Sequence, residues 1–549
     1  MKKSGEKGSE SPDINRNLNL LVITMIAATI LSEGTIEENL KQFLLVLSVS
    51  LSVATLPQVF SWFRHIPYTL LLVIVGLGLA VIDVRLVTLS PELILLIFLP
   101  PLLFEAAWNL EWSKLKRDLV PISLYAVLGV VISVAGIAFT LNKIAGISLA
   151  TALLVGASVS ATDPVSVIAL FRELGVEKRL AVLVEGESLF NDGIAVVAFS
   201  FLVGFSLGTD EVAIPILVAR FLTFVGIGIG VGTLIGFGIS YLTQRFDLPL
   251  VEQSLTLVSA YGTYIIAEEL GGSGVIGVVT MGLILGNFGS RIGMQPSTRL
   301  AVTQFWEFLT FFVNSMMFLL IGDQMRFADL GANLSPIALT VAAMFLTRAI
   351  AIFGLGGLSN WLAASDISLS DRTVIWWGGL RGSVSIALAL SVPDTLLERD
   401  EIIAIVFGVV LFTLLVQGLT TKPLLEKLGL LSNQELRQQY LEAIARRVAL
   451  NRVLTHLSQV SSRHEIEPEI YDHLVSHIQK QLDCLLEEIN QFYNQSPQLR
   501  DLATDQLEGN LLAIEADTYA EFVRSGQLNE LPSSLLENVF KNRSEEIIS

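Results

Sequence analysis

A chain of 549 residues that is 52% hydrophobic and only 16% charged is not an ordinary soluble domain and reads as a polytopic membrane protein. Its net charge of -17 argues against nucleic acid as a partner, because phosphate binding needs clustered Lys and Arg, and favours a small cation. The lone cysteine, Cys484, excludes an internal disulfide and any multi-thiolate metal site, and no cofactor is expected.

In chain order, Lys2, Lys3 and Lys7 precede a short apolar run, Leu18 to Leu31, which suits either a signal peptide or an extra first span. Apolar runs long enough to cross a bilayer then fall near 42–60, 68–84, 90–108, 119–141, 147–171, 180–204, 212–241, 250–269, 273–288, 300–322, 334–358, 373–392 and 401–421. The fold class expected is therefore all-α and polytopic. Arg64, Lys114, Lys116, Arg117, Arg172, Lys178, Arg179, Arg245, Arg291, Arg299 and Arg372 crowd the loops of one side. Only Lys41, Arg85, Lys143, Arg326 and Arg399 lie on the other. That bias places the first side, and the C-terminus with it, in the cytoplasm. Residues 1–40 read as an N-terminal extension, 41–425 as the membrane domain and 426–549 as a helical cytoplasmic tail. From Lys422 onward the chain is soluble in character, with 20 acidic against 12 basic residues. His456, His464, His473 and His477 in this tail are either a pH sensor or solvated surface residues. The run Gly226, Gly228, Gly230, Gly232 and Gly236 sits mid-span, where small residues let helices approach closely.

Polar residues inside these apolar runs carry the chemistry. The stretch from Glu185 to Gly193 sets Glu185, Glu187 and Asp192 within one span, with Asp192 near the bilayer middle. Ser188, Asn191 and Asp192 stand at i, i+3 and i+4, so a hydroxyl, a carboxamide and a carboxylate share one helical face. These hard oxygen ligands suit Na⁺ or Li⁺, and a carboxylate holds either a cation or a proton but not comfortably both. Glu187 lies about 140° around the helix from Asp192 and needs another partner; Arg381, flanked by Gly379 and Gly382 in a late span, is the expected one. Glu185 returns to the Asp192 face nearer the cytoplasm and reads as lining an aqueous entrance.

The preceding span contains Ala161-Thr162-Asp163-Pro164, where proline frees a carbonyl and predicts an unwound segment. The glycine-flanked Arg381 segment is the matching interruption in the second half, a pairing that points to a transporter site built on inverted repeats. Asp163 and Arg381 can balance the half-helix dipoles that such breaks expose. Glu105 is a further intramembrane carboxylate, beside the ion site or its access path. Glu307, Arg220 and Arg348 are intramembrane charges to which the sequence assigns no partner.

With these residues in hand, the chain resembles the NhaP-type monovalent cation/proton antiporters, relatives of the eukaryotic sodium/proton exchangers, over roughly residues 40 to 425. The marks are Ala161-Thr162-Asp163-Pro164, Glu187-Ser188-Leu189-Phe190-Asn191-Asp192 and Gly379-Leu380-Arg381-Gly382. The resemblance implies a homodimer with about thirteen core transmembrane helices in inverted repeats and two unwound helices that cross, and the membrane expected is a bacterial inner membrane. It implies electroneutral exchange of Na⁺, Li⁺ or K⁺ for H⁺, serving pH homeostasis and salt tolerance, with Asp192 as the shared carrier. Ser188, Asn191 and Thr162 would be ligands or their supports and Asp163 would steady the crossing. Glu105 would lie near the ion, and Glu187 and Arg381 would form a structural ion pair. A channel or sensor on the same fold is a competing reading. An intramembrane protease with Asp163 and Asp192 as its dyad is a remote one, because the Tyr-Asp and Gly-x-Gly-Asp contexts are missing.

Overall fold

The computed structural model describes residues 41–57, 67–81, 90–207, 214–243, 248–290, 294–363, 365–430, 434–462 and 468–495, with a few isolated positions besides. The Leu18 to Leu31 segment lies outside the described residues. Every regular element among those described is helical. This is what a lipid environment requires, since a helix satisfies its backbone polar groups within the segment.

The helices of the membrane domain, spans and short connecting helices together, are α1 (Lys41–Pro57), α2 (Tyr68–Val81), α3 (Leu93–Asn109), the short α4 (Trp112–Arg117), α5 (Leu119–Ala145), α6 (Leu149–Ser160), α7 (Val165–Leu174) and α8 (Lys178–Ser206). They continue through α9 (Ile214–Thr243), α10 (Pro249–Glu269), α11 (Gly274–Gly289), α12 (Pro296–Asp323), α13 (Phe327–Ala332), α14 (Leu334–Ala363), α15 (Leu369–Trp377), α16 (Ser383–Leu390) and α17 (Arg399–Lys427). Two runs that the hydropathy presents as continuous are interrupted: 147–171 becomes α6 and α7, and 373–392 becomes α15 and α16. The chain is an integral multi-pass membrane protein.

The described residues form two compact units. One joins those up to residue 89 with Asn314–Met325. Within it, α2 approaches the end of α12 where Gly76 faces Gly322, and a Cβ on either would strike backbone of the other segment. The second unit holds Ser90–Val313 and everything from Arg326 onward. Here Gly228, Gly232 and Gly236 of α9 lie against Ser273, Gly277 and Ile284 of the α11 segment and serve helix packing, whereas a Cβ on Gly226 or Gly230 would meet nothing within 4 Å. Helix α5 lies along α14, where Gly136 makes room for Thr347.

At the basic end of the second unit, Arg179 at the start of α8 donates to both oxygens of buried Asp118 at 3.1 and 2.7 Å and to the carbonyl of Ser365. That one guanidinium ties the starts of α5 and α8 to the loop before α15. Beyond the membrane helices, α18 (Gln434–Ser462) and α19 (Pro468–Gln495) form a hairpin. Its own small core is Tyr440, Ala443, Leu485, Ile489 and Phe492. His456, His473 and His477 are exposed on it, and His477 meets Gln481 one turn on at 3.1 Å.

Candidate functional site

The site is assembled where the two interruptions meet. Between α6 and α7, Ala161 to Pro164 leave helical geometry because Pro164 has no amide hydrogen to donate. Between α15 and α16, residues 378–382 do the same around three glycines, Gly378, Gly379 and Gly382. Each break frees backbone groups that lipid cannot satisfy, and the locations of their partners define the site.

The breaks bond directly, Asp163 N donating to Leu380 O at 2.8 Å. The half-buried Asp163 carboxylate accepts from Val165 N at 3.0 Å and faces the Ser383 amide, so one anion caps the N-termini of α7 and α16 together. Gly382 is required there, since a Cβ would fall on that carboxylate. At the opposite polarity, Arg381 Nη1 donates to the carbonyls of Ser160 and Ala161 at 2.8 and 3.0 Å, capping the C-terminus of α6. Ser385 Oγ adds a bond to Ala161 O at 3.3 Å.

The expected Glu187–Arg381 pair is not what forms. Glu187 pairs with Arg348 of α14, whose Nη1 and Nη2 donate to the two carboxylate oxygens at 3.2 Å each, fork to fork. Arg348 also donates from Nη2 to Ile375 O at 3.0 Å and from Nε to Trp376 O at 3.2 Å, capping the C-terminus of α15. The reason for the exchange of partners is geometric. The carbonyls at the end of α6 occupy Arg381, and Gly379 leaves the space that the Arg348 guanidinium fills beside the second break. The sequence shows three intramembrane arginines, Arg220, Arg348 and Arg381, and spacing alone does not decide which of them Glu187 meets.

Helix α8 runs past this crossing, and Asp192 stands about 21 Å along it at ~1.5 Å per residue. Ser188, Asn191 and Asp192 are all buried there, and so is Thr162 in the first break. Ser188 Oγ donates to the Thr162 carbonyl. The Asn191 amide nitrogen is fully committed: it donates to Ser160 O at 3.1 Å, Thr162 Oγ1 at 3.1 Å and Glu187 Oε1 at 3.3 Å. The carboxamide is thereby oriented, and its Oδ1 is left without a protein hydrogen-bond partner among the described residues. Asp192 Oδ1 is in the same condition, while the Thr162 amide faces its carboxylate and Asp163, Glu187 and Arg381 are the charges acting on it. Two buried oxygens, on consecutive residues of α8, thus lack donors.

The structure therefore brings together Thr162, Asp163, Glu187, Ser188, Asn191, Asp192 and Arg381. Glu105 in α3 accepts from Asn109 Nδ2 at 2.6 Å, one turn further on. Glu185 is half-buried, about two turns from Asp192 towards the start of α8. Residues that the sequence reading missed include Thr413, whose Oγ1 accepts from Arg381 N at 3.1 Å, and Gln417, whose Nε2 donates to Trp377 O at 2.7 Å. They reach the second break because α17 widens to π-helical geometry over Thr413–Gln417, which turns both side chains inward. No hydropathy pattern announces such a widening.

The sequence profile described as sodium/hydrogen exchanger, transmembrane, matches residues 20–427. The chain belongs to the sodium/hydrogen exchanger family. It is 63% identical over 510 residues to the Na(+)/H(+) antiporter ApNhaP of Aphanothece halophytica, covering 93% of this chain and 98% of that protein. It is 56% identical over 500 residues to the low-affinity Na(+)/H(+) antiporter NhaS1 of Synechocystis sp., covering 90% and 95%. Among solved structures, the sodium proton antiporter MjNhaP1 of Methanocaldococcus jannaschii shares the fold. Its TM-score is 0.58 at 21% identity, with 70% of this chain and 99% of that one covered. The family is one of transporters, not enzymes.

Proposed function

We propose that this chain exchanges Na⁺ for H⁺ across its membrane, one for one, with Asp192 as the group that carries each ion in turn. The observation that carries this reading is the pair of buried oxygens without donors, Oδ1 of Asp192 and Oδ1 of Asn191, on one face of α8 beside an unwound segment. Ser188 Oγ and Thr162 complete a set of hard oxygen donors suited to Na⁺ or Li⁺. Asp163 and Arg381 hold the breaks, and the Glu187–Arg348 pair holds Asn191.

Coupling follows from desolvation. A bare carboxylate in apolar surroundings is strongly disfavoured, so Asp192 crosses only when a proton or a cation neutralises it, and one group cannot accept both at once. The exchange needs no further gate. In the same reading Glu185 lines the cytoplasmic approach, Glu105 lies on an access path, the working unit is a homodimer, and the membrane is a bacterial inner membrane with residues 426–549 in the cytoplasm. The basic loops support that orientation. The separate core of the α18–α19 hairpin supports a distinct tail.

Na⁺-dependent dissipation of ΔpH in everted vesicles tests the carrier. Asp192→Asn is expected to abolish it at every Na⁺ concentration with protein levels maintained, and a variant that still exchanged would end the proposal.

A further inference from the structure

Glu307, an intramembrane charge to which the sequence assigns no partner, has none among the described residues of the fold either. It is exposed on α12, about 17 Å from the helix start at ~1.5 Å per residue, and so lies within the hydrocarbon layer. Gln304, one turn earlier on the same face, is likewise exposed and without a bond among the described residues. The surroundings are not those of an aqueous entrance. Leu300 and Phe308 of α12 are 58% and 62% exposed, and Leu250 and Val258 of the neighbouring α10 are 78% and 69% exposed. A carboxylate on so apolar an outer face is strongly disfavoured against lipid, and residues of this kind almost always face protein or a water-filled cavity. The face therefore needs a protein cover.

The pattern of the face selects the cover. Ser297, Leu300, Gln304, Glu307 and the half-buried Phe311 follow one another at steps of three, four, three and four, the spacing of a seam between two parallel helices. Two copies in one bilayer share their orientation, so a two-fold axis along the membrane normal sets α12 parallel to its counterpart with equal residues at equal depth. Gln304 of one copy then differs in depth from Glu307 of the other by only about 4.5 Å, within reach of two long side chains. The amide donates, the carboxylate accepts, and the symmetry makes the bond twice. Beside the seam, an open apolar groove of about 350 Å³ on α10 is lined by Leu250, Val251, Ser254, Leu255 and Val258. Its depth matches the stripe, because Gln253 donates to Ala301 O at 3.0 Å and Trp306 Nε1 to Thr256 Oγ1 at 3.1 Å. The groove offers a seat for the protruding Phe308 of the second copy.

We propose that two copies of this chain pack α12 against α12, with Gln304 of each donating to Glu307 of the other. The inference rests on the homodimer of the reading above and not on its ion site. It gives the second copy a place on the molecule and gives the remaining intramembrane carboxylate a bonding partner.

The test uses the full chain in lipid bilayers, in a Cys484→Ser background that removes its one thiol. Oxidative cross-linking compares Leu300→Cys with Leu346→Cys, the latter position being 64% exposed on α14. A disulfide-linked dimer is expected from Leu300→Cys alone. Subunit counting by single-molecule photobleaching at falling protein density then gives the dissociation constant of the dimer. Glu307→Leu and Gln304→Leu are each expected to raise it about three- to tenfold, and the double variant no further than either. Glu307→Gln should stay within about twofold of wild type, because an amide oxygen still accepts. A dimer that fails to cross-link through Leu300→Cys, or leucine variants that dissociate as the wild type does, would overturn the proposal. So would a higher melting temperature in Glu307→Leu at unchanged subunit number, which sets this face against lipid, or cross-linking of Leu300→Cys to a different protein. Failure of the homodimer reading looks different: the unsubstituted protein would be monomeric at every density, and the proposal would fall with it.

Discussion

The two interrupted spans solve one problem with opposite chemistry. The first break, Ala161 to Pro164, is made by a proline and supplies a carboxylate; the second, residues 378–382, is made by glycines and supplies a guanidinium. Each break reaches into the other: Asp163 caps the N-terminus of α16 as well as that of α7, and Arg381 caps the C-terminus of α6. They differ in what remains unbonded. Around the second break, Trp377 O, Leu380 O and Arg381 N each have a partner in Gln417, Asp163 and Thr413. Beside the first, Asn191 and Asp192 keep an oxygen each. Gln417 Oε1 is likewise unbonded, so the contrast lies in charge: the second break is held through its backbone as a scaffold, and the unspent carboxylate oxygen of Asp192 makes the first a candidate site.

The largest effects are expected from the two arginines, and their ranking tests the pairing. Arg348→Ala leaves the Glu187 carboxylate buried without its cation, a loss of about 3–5 kcal/mol. Arg381→Ala removes donors from two carbonyls and no charge from a direct pair, a loss of about 1–3 kcal/mol. Thermal melting in detergent should therefore show Arg348→Ala as the less stable variant, with Glu187→Gln restoring part of the loss in its background. If Glu187→Gln instead rescued Arg381→Ala, the pairing would be assigned to the wrong arginine.

Much of this arrangement could be read in the chain, and the rest could not, for a physical reason. Apolar runs become helices because lipid leaves the backbone no alternative, and Pro164 and the Gly379–Gly382 segment betray the breaks by their local chemistry. Ser188, Asn191 and Asp192 share a face by helical spacing alone. The partner of Glu187 depends instead on which of two arginines the carbonyls of α6 capture first, a three-dimensional competition between residues 33 positions apart in sequence, Arg348 and Arg381. Thr413 and Gln417 were likewise hidden, because their inward turn depends on the π-helical widening of α17.

Intermediate effects belong to the glycines of the second break. A Cβ at Gly379 would enter the Arg348 guanidinium and one at Gly382 the Asp163 carboxylate, so alanine at either should cost about 1–3 kcal/mol through overpacking. Gly354 of α14, where an added Cβ meets nothing within 4 Å, is the control. Alanine there should be neutral or slightly stabilising. Melting temperatures of the three variants separate close approach from a general intolerance of alanine; equal losses at all three would remove the contrast.

The smallest effect is the most discriminating for the scaffold role. Thr413 Oγ1 accepts from Arg381 N and donates to Val410 O, so Thr413→Val keeps the shape and leaves one amide in the second break without its acceptor. Hydrogen bonds between membrane helices are worth about 0.6 kcal/mol on average, and a melting shift of one or two degrees is the corresponding expectation. Maximal exchange should be nearly unchanged, because Asn191 and Asp192 take no bond from Thr413. A full loss of exchange at unchanged stability would mean that the second break works as part of the ion site. The division between a backbone-bonded scaffold and an open site would then have to be abandoned.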